Sequence, residues 1–251
     1  ANLAAMRAPI VILCAALLCG FTPEPEDVAG WSFVRSLPLG APLHGVGTAH
    51  SPLPVRAGFT SMRFEVRPGD CSRGKHGWDD CKKDRERTEL NQAGYQHHGD
   101  TWWYGFSLHV PRGHKNIWPA KLSFAQFHQE GAKPVIMLQN HDGGLWLDIH
   151  DASRTIELIE LVPKSQLTGR WHDIVMQIKW SRKRDGFIRV WIGGRQAANF
   201  DGATMSAEKV YFKFGLYRSH LKRNPNARNV THRAHFDRLV RGKTRKNVER
   251  P

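Results

Sequence analysis

The sequence predicts an all-β fold in which two antiparallel sheets pack face to face as a sandwich. Three observations predict it. From about Gly58 to Gly242 the chain reads as short runs of alternating apolar and polar residues separated by turn signals. No helical period of useful length interrupts them. The 251 residues, 40% hydrophobic and 10% aromatic, suffice for one sizeable core and exclude a disordered chain.

The elements follow in order. SMRFEVR alternates, with Met62, Phe64 and Val66 on one face and Arg63, Glu65 and Arg67 on the other. TWWYGFSLHVP ends at a proline. KLSFAQFHQ, KPVIMLQN, LWLDIHD, WHDIVMQIKWS, GFIRVWIGG and KVYFKFGLYRS come next at fairly regular spacing, and HFDRLVRG closes the set. Because a one-residue slip inverts a strand, the period-2 faces are informative. Val210, Phe212, Phe214 and Leu216 share a core face, opposite Lys213, Gly215 and Tyr217. Ile174, Met176, Ile178 and Trp180 look inward. In KLSFAQFHQ the alternation groups Phe124, Gln126 and His128 and turns Ala125 and Phe127 away. Several strands thus back an apolar face with Gln, His, Lys, Arg and Tyr, a composition suited to a sugar groove.

The expected organisation is an export segment and leader over 1–29, an irregular Pro/Gly-rich segment over 30–58, the sandwich over 59–242 and a frayed basic tail over 243–251. Met6-Arg7 before the apolar run APIVILCAALLCGF has the pattern of a secretory signal and is too short for a stable membrane span. A secreted or periplasmic protein is therefore expected. Cys14 and Cys19 fall in that segment; a lipid anchor on Cys19 is the lesser reading. Cys71 and Cys81 remain, ten positions apart in a Gly/Asp-rich loop, and fit a disulfide. Zinc, with His76 between the thiols, is the competing reading, and the C-x-x-C spacing it favours is absent.

The formal charge is +14. Such an excess favours polyanionic partners, among them nucleic acid, an anionic membrane or an acidic polysaccharide. No ordered set of stacking aromatics or nucleic-acid motif accompanies it, and the export pattern also argues against nucleic acid. An acidic polysaccharide is the expected partner.

Hydrolysis of a glycosidic bond needs two flanking carboxylates. No E-x-D-x-E strand exists here; Glu86/Glu89 and Glu157/Glu160 lack the alternate spacing that puts two carboxylates on one face. β-Elimination makes other demands: cationic or amide groups to neutralise a uronate carboxylate, a base for the C5 proton and an acid at the leaving oxygen. Gln126 and His128 sit two apart, hence on one side of a strand.

The blocks RFEVRPGDC, RTEL, WWYGFSLHVP, AQFHQ, NHDGGLWLDI, GRWHDIVMQIKWS, DGFIRVWIGG and YFKFGLYRS, in this order and spacing, resemble the heparin-lyase-I-like and glucuronan-lyase-like polysaccharide lyases. The resemblance covers about Phe59 to Gly242. It implies a concanavalin-like β-jelly-roll with a long groove that cleaves uronate polysaccharides by β-elimination. The family's Gln-x-His matches Gln126 and His128, its late-strand tyrosine matches Tyr217 beside Lys213 and Arg218, and its R-S/T-E-L segment matches Arg87 to Leu90. Some relatives carry a lysine three positions after the tyrosine; here His220 stands there and Lys222 follows two further on.

The resemblance and the chemistry together assign His128 and Tyr217 as the catalytic groups. Tyr217 is the acid and a candidate for the base as well, His128 the base or its partner, the division depending on substrate epimer and pose. A tyrosine acting as base would need its pKa of ~10 lowered by cations, for which Lys213 and Arg218 are candidates. Gln126, Asn140 and Arg87 are expected to hold the substrate carboxylate, with Lys213, Arg218 and Lys222 as further contacts. The resemblance permits a structural Ca2+, with Glu65 and Asp237 as hard oxygen ligands; ordinary ion pairs with arginine are the other reading. No organic cofactor and a monomer are expected. A non-catalytic, lectin-like module on the same scaffold is the competing function.

Overall fold

A computed structural model describes residues 31–74, 76–151 and 154–249. The expected export segment lies outside the described residues. Fifteen strands are described: β1 (Phe33–Arg35), β2 (Val46–Ala49), β3 (Ser61–Val66), β4 (Arg85–Gln92), β5 (Gln96–His97), β6 (Thr101–His109), β7 (Lys121–Gln129) and β8 (Ile136–His141), then β9 (Gly144–His150), β10 (Thr155–Val162), β11 (Trp171–Lys179), β12 (Phe187–Ile192), β13 (Arg195–Asp201), β14 (Lys209–Ser219) and β15 (His232–Gly242). Two one-turn helices, α1 (Lys164–Leu167) and α2 (Arg245–Val248), and three short 3-10 turns, Leu43–Gly45, Leu221–Arg223 and Pro225–Asn229, accompany the strands. Among the described residues no helix is long and apolar enough to cross a membrane.

The strands form the two antiparallel sheets of a jelly-roll. The first runs β1-β4-β14-β7-β8-β9-β10, with β5 paired to β14; the second runs β13-β12-β11-β6-β15-β3-β2. Neighbours far apart in sequence, such as β4 with β14, are what a sandwich built of long connections requires. The core lies between the sheets. Phe212, Phe214 and Leu216 of β14 meet Phe64 of β3, Tyr104 and Phe106 of β6 and Phe236 of β15 there, all buried. Their rings pack tilted, edge-to-face or stacked at 5.2–6.4 Å, centroid separations typical of aromatic pairs. Ile174, Met176, Ile178 and Trp180 point inward as their spacing predicts, and the Trp180 indole donates to Tyr104 Oη at 2.9 Å.

Three features depart from the expectation. Phe124 is buried in the core and does not share a face with Gln126. The β7–β8 register slips between Ser123 and Ala125, so one extra residue inverts the alternation at that point. The segment 30–58 is not wholly irregular: β1 and β2 extend opposite sheets, and Trp31 and Phe33 are core residues. The tail is docked through α2, where Val248 packs with Val175 and Val240 on the outer side of the second sheet. Three- and four-residue edge strands are too short to show a period, and a one-turn helix carries no amphipathic repeat.

Gly215 matters for the site. Its φ is 127°, and a Cβ there would lie 2.4 Å from the Thr88 carbonyl oxygen and 2.7 Å from Phe64 Cδ1. Only glycine lets β14 lie this close to β4 and the core, at the point where its register against β7 also shifts, between Phe214 and Tyr217.

Candidate active site

The open face of the first sheet carries the polar halves of β4, β14, β7, β8 and β9. Strand register arranges them in transverse rows. One row is Arg87, Tyr217, Ser123, Gln139 and Trp146; the next is Asn91, Lys213, Gln126, Met137 and Asp148. On β8, which has no slip between them, the rows stand two residues apart, about 7 Å at the strand rise. His128 lies beyond the second row, directly opposite Tyr211 of β14.

The floor is a buried charge network. The Glu89 carboxylate accepts from Lys213 Nζ at 2.8 Å, from Arg87 Nη1 at 3.1 Å and from Gln126 Nε2 at 2.5 Å. Burial pushes Glu89 up, and Lys213, Arg87 and the Gln126 hydrogen bond more than reverse it, leaving the group ionised. Arg87 donates twice more to Asp80, Nε at 2.6 Å and Nη2 at 2.7 Å. Burial works against its charge; Glu89 and Asp80 outweigh that and raise its pKa. Lys213 is lowered to about 8, burial outweighing the pull of Glu89. Its ammonium has three donors, of which Glu89 takes one. Gln126 Oε1 is buried with no partner among the described residues, an acceptor held ready at the centre of the row.

Asp80 reaches this floor on the loop closed by the Cys71–Cys81 disulfide, which forms as the cysteine spacing predicts. Trp78 on the same loop donates its indole N–H to Asp80 at 2.9 Å. Asp80 is fully buried, so Asp80→Ala would strand the Arg87 guanidinium in low dielectric. The expected result is a loss of about 3–5 kcal/mol in urea unfolding, the usual cost of breaking a buried pair from one side. Asp80→Asn, which keeps an acceptor, should lose clearly less.

Two proton-handling groups flank the second row. Tyr217 Oη accepts from Arg85 Nε at 2.7 Å, and its ring lies 4.4 Å from the Arg87 guanidinium carbon. Burial raises its pKa; Arg87 and Arg85 pull it down by less, so the phenol stays protonated. The cations acting on Tyr217 are thus Arg87 and Arg85, where Lys213 and Arg218 were expected. His128 Nδ1 is 2.8 Å from the Gln129 carbonyl oxygen, with Tyr211 Oη at 3.3 Å. A carbonyl only accepts, so Nδ1 carries the proton and Nε2 the lone pair. Burial, then Lys213, lower the imidazole to about 4, and it is neutral at pH 7. A cavity of about 660 Å³ opens beside it, bounded by Asn91, Tyr95, Glu130 and Tyr211. A second cavity, about 440 Å³ near Ser107, Asp173 and Arg238, lies on the other sheet, and the Asp173 carboxylate there is already taken by Arg56.

The structure places His128, Tyr217, Gln126 and Lys213 on one face of the sheet, with Arg87 in the same row as Tyr217 and His128 opposite a β14 position six residues from Tyr217. It separates the other candidates. Asn140 has the parity of Ile136 and Leu138, not that of the open face, and donates to the Gly144 carbonyl oxygen at 3.0 Å; Gln139 takes the open-face position. Arg218 is fully buried on the core side, ion-paired with Glu86 and donating to the Ala227 and Val230 carbonyl oxygens. Lys222 sits on the exposed 3-10 turn Leu221–Arg223, whose backbone is tied to Asp84 at the entry to β4. Arg87 is spent on Asp80 and Glu89, and Arg85 replaces it as the accessible cation: among the described residues no carboxylate lies within ion-pair distance of it.

Glu65 and Asp237 do not fit a calcium site. Glu65 is enclosed by Arg63, Arg67 and Arg233 at 2.5–2.7 Å; against the upward push of burial, Arg233 and Arg67 hold it at about 2. Asp237 stands four positions along β15 from the partner of Glu65 and accepts from the Arg56 and Ala57 backbone N–H groups. Among the described residues no group of three metal-ligating side chains occurs.

Arg85, Asp80 and Tyr211 were not singled out from the sequence, and Glu89 was read only as half of an acidic pair and as part of the RTEL block, without a role. Arg85, Arg87 and Glu89 alternate along one strand, and Tyr211 shares the parity of Lys213, so the signal for three of the four was present.

The family model described as "Polysaccharide lyase" matches residues 44–240. Among solved structures, an endo-β-1,4-glucuronan lyase from the fungus Trichoderma reesei is similar at TM-score 0.62 and 17% identity, over 87% of this chain and 93% of that one. The alginate lyase AlgAT5 from polysaccharide lyase family 7 is similar at 0.60 and 14%, over 88% and 98%. An alginate lyase from Corynebacterium sp. is similar at 0.57 and 16%, over 87% and 96%. At these identities the likeness speaks for the shared fold. No curated protein sequence matches the chain.

Proposed function

The chain belongs to the polysaccharide lyase family, and from that premise we propose that it cleaves a uronate-containing polysaccharide by β-elimination across the open face of the first sheet. The observation that carries this reading is an arrangement on one sheet face: a neutral imidazole and a protonated phenol stand on either side of the row that holds the Lys213 ammonium.

The uronate lies over Lys213 and Gln126. The two uncommitted N–H donors of Lys213 face its carboxylate and stabilise the charge that builds as C5 loses its proton. His128 takes that proton on Nε2. Tyr217 gives its own to the departing O4: its oxygen already accepts from Arg85, leaving the hydroxyl proton free to be donated. The phenolate left behind has Arg85 at its oxygen and Arg87 under its ring. One proton enters the site residues and one leaves, and water restores the starting state. All of these residues come from one chain, so a monomer suffices. Export to an oxidising compartment belongs to the same reading, supported by the signal-like run before Gly20 and the Cys71–Cys81 bond.

The test is a panel of glucuronan, mannuronate-rich and guluronate-rich alginate and heparin-like chains, followed by ultraviolet absorbance. Growth of the signal of a C4=C5 double bond conjugated to the carboxylate is expected on at least one. Binding without that signal would leave a sugar-binding module and overturn the reading.

A further inference from the structure

Trp118, His141 and Trp146 form an aromatic cluster that the chemistry above does not use. The Trp118 and His141 rings are 3.9 Å apart between centroids, and His141 and Trp146 5.2 Å. Trp118 is 39% exposed, unusual for a tryptophan, yet its position is fixed. Asn116 accepts from its backbone N–H at 3.0 Å, and Asn224 donates to the carbonyl oxygens of Ile117 and Trp118 at 3.1 and 3.2 Å. His141 ends β8 and is not a loop residue. The three rings lie in contact, with Trp118 exposed and the other two half-buried, and such a contiguous aromatic surface is a candidate for binding a ligand.

Register places the cluster relative to the proposed chemistry. Trp146 occupies the same transverse row as Tyr217, through Ser123 and Gln139, three strand spacings away, or about 14 Å. The floor between them is polar: Gln139 donates to Asp148, and Lys121 lies 3.7 Å from the same carboxylate. A chain of pyranose rings laid along this row from Tyr217 would meet polar groups first and aromatic rings a few sugars on. Pyranose rings carry patches of polarised C–H, which pack on the electron-rich face of an indole.

We propose that Trp118, His141 and Trp146 form a distal subsite that stacks a pyranose ring of the bound polysaccharide several units from the bond that is cut. This rests on the lyase reading for its register but not for its binding chemistry. The subsite makes the enzyme favour long chains. It adds uniform binding, so its loss acts on KM and spares kcat.

Trp118→Ala, with Trp118→Phe as the ring-retaining control, would be assayed on uronan polymer and on size-fractionated oligomers. In Trp118→Ala the KM for polymer and long oligomers should rise about fivefold to tenfold, the worth of one aromatic contact. The kcat should hold, the shortest cleaved oligomer should be unaffected, and Trp118→Phe should recover most of the loss. Equal effects on short and long chains, or none on either, would overturn the subsite. Should the wild-type protein cleave none of the uronans, the lyase reading fails separately. Calorimetric titration of wild type and Trp118→Ala with the same long and short oligomers then decides the subsite: length-dependent binding that Trp118→Ala weakens supports it. Binding that is absent, or indifferent to length and variant, overturns it.

Discussion

Tyr217→Phe is expected to lower kcat by about 10³-fold, in the range positioned general acids contribute. The substitution removes one oxygen and leaves the ring over Arg87, so the fold should keep its urea midpoint. Substrate binding should also persist, because Lys213 and Gln126 are untouched. The loss would therefore appear in kcat and kcat/KM together, the mark of an interaction made only in the transition state. Arg85→Met provides a graded companion. Arg85 helps draw the phenol pKa down and would hold the phenolate, whereas Arg87 remains beneath the ring. An intermediate fall in kcat is expected, with Tyr217 a weaker acid. Turnover that survives in Tyr217→Phe at the wild-type rate would remove this tyrosine from the chemistry.

The parts of this site that were legible in the sequence are those set by local alternation. The core face of KVYFKFGLYRS and the shared side of Gln126 and His128 follow from a period of two, and the structure keeps both. Asn140 and Arg218 went astray because residue type was allowed to outweigh that period: one has the parity of Leu138, the other that of Leu216. Phe124 shows the opposite failure. There the period was followed and a bulge broke it, and nothing in KLSFAQFHQ announces an inserted residue.

Arg87 illustrates a third kind of limit. Its strand and face were correct, but its function depends on Asp80, delivered by a disulfide-closed loop, and on Lys213, delivered by a strand more than a hundred residues later. Which cation is consumed and which stays available is decided by pairings across the sheet. The outcome moves the accessible guanidinium by one alternate position, from Arg87 to Arg85. Glu65 differs again, since Arg63 and Arg67 flank it two positions away on either side in the sequence and the ion-pair reading was the local one.

His128→Ala should cost about 10²–10³-fold in kcat/KM, as the loss of a positioned base does. The pH profile offers a sharper test. An imidazole accepts the C5 proton only while Nε2 is unprotonated, so activity should fall as pH drops through the imidazole pKa. Burial and the Lys213 charge hold that value at about 4, below the ordinary 6.5. The wild-type enzyme should therefore keep its kcat/KM from pH 7 down to pH 5, where an ordinary histidine would already be mostly protonated. At the other end, Lys213 must stay charged to hold the carboxylate, and its pKa of about 8 predicts a KM that rises above that pH. The residual activity of His128→Ala, followed across the same range, separates the two limbs: the acidic one should vanish and the alkaline one remain. An acidic limb that persists unchanged in His128→Ala would belong to another group and would dismiss His128 as the base, whatever the size of the rate loss.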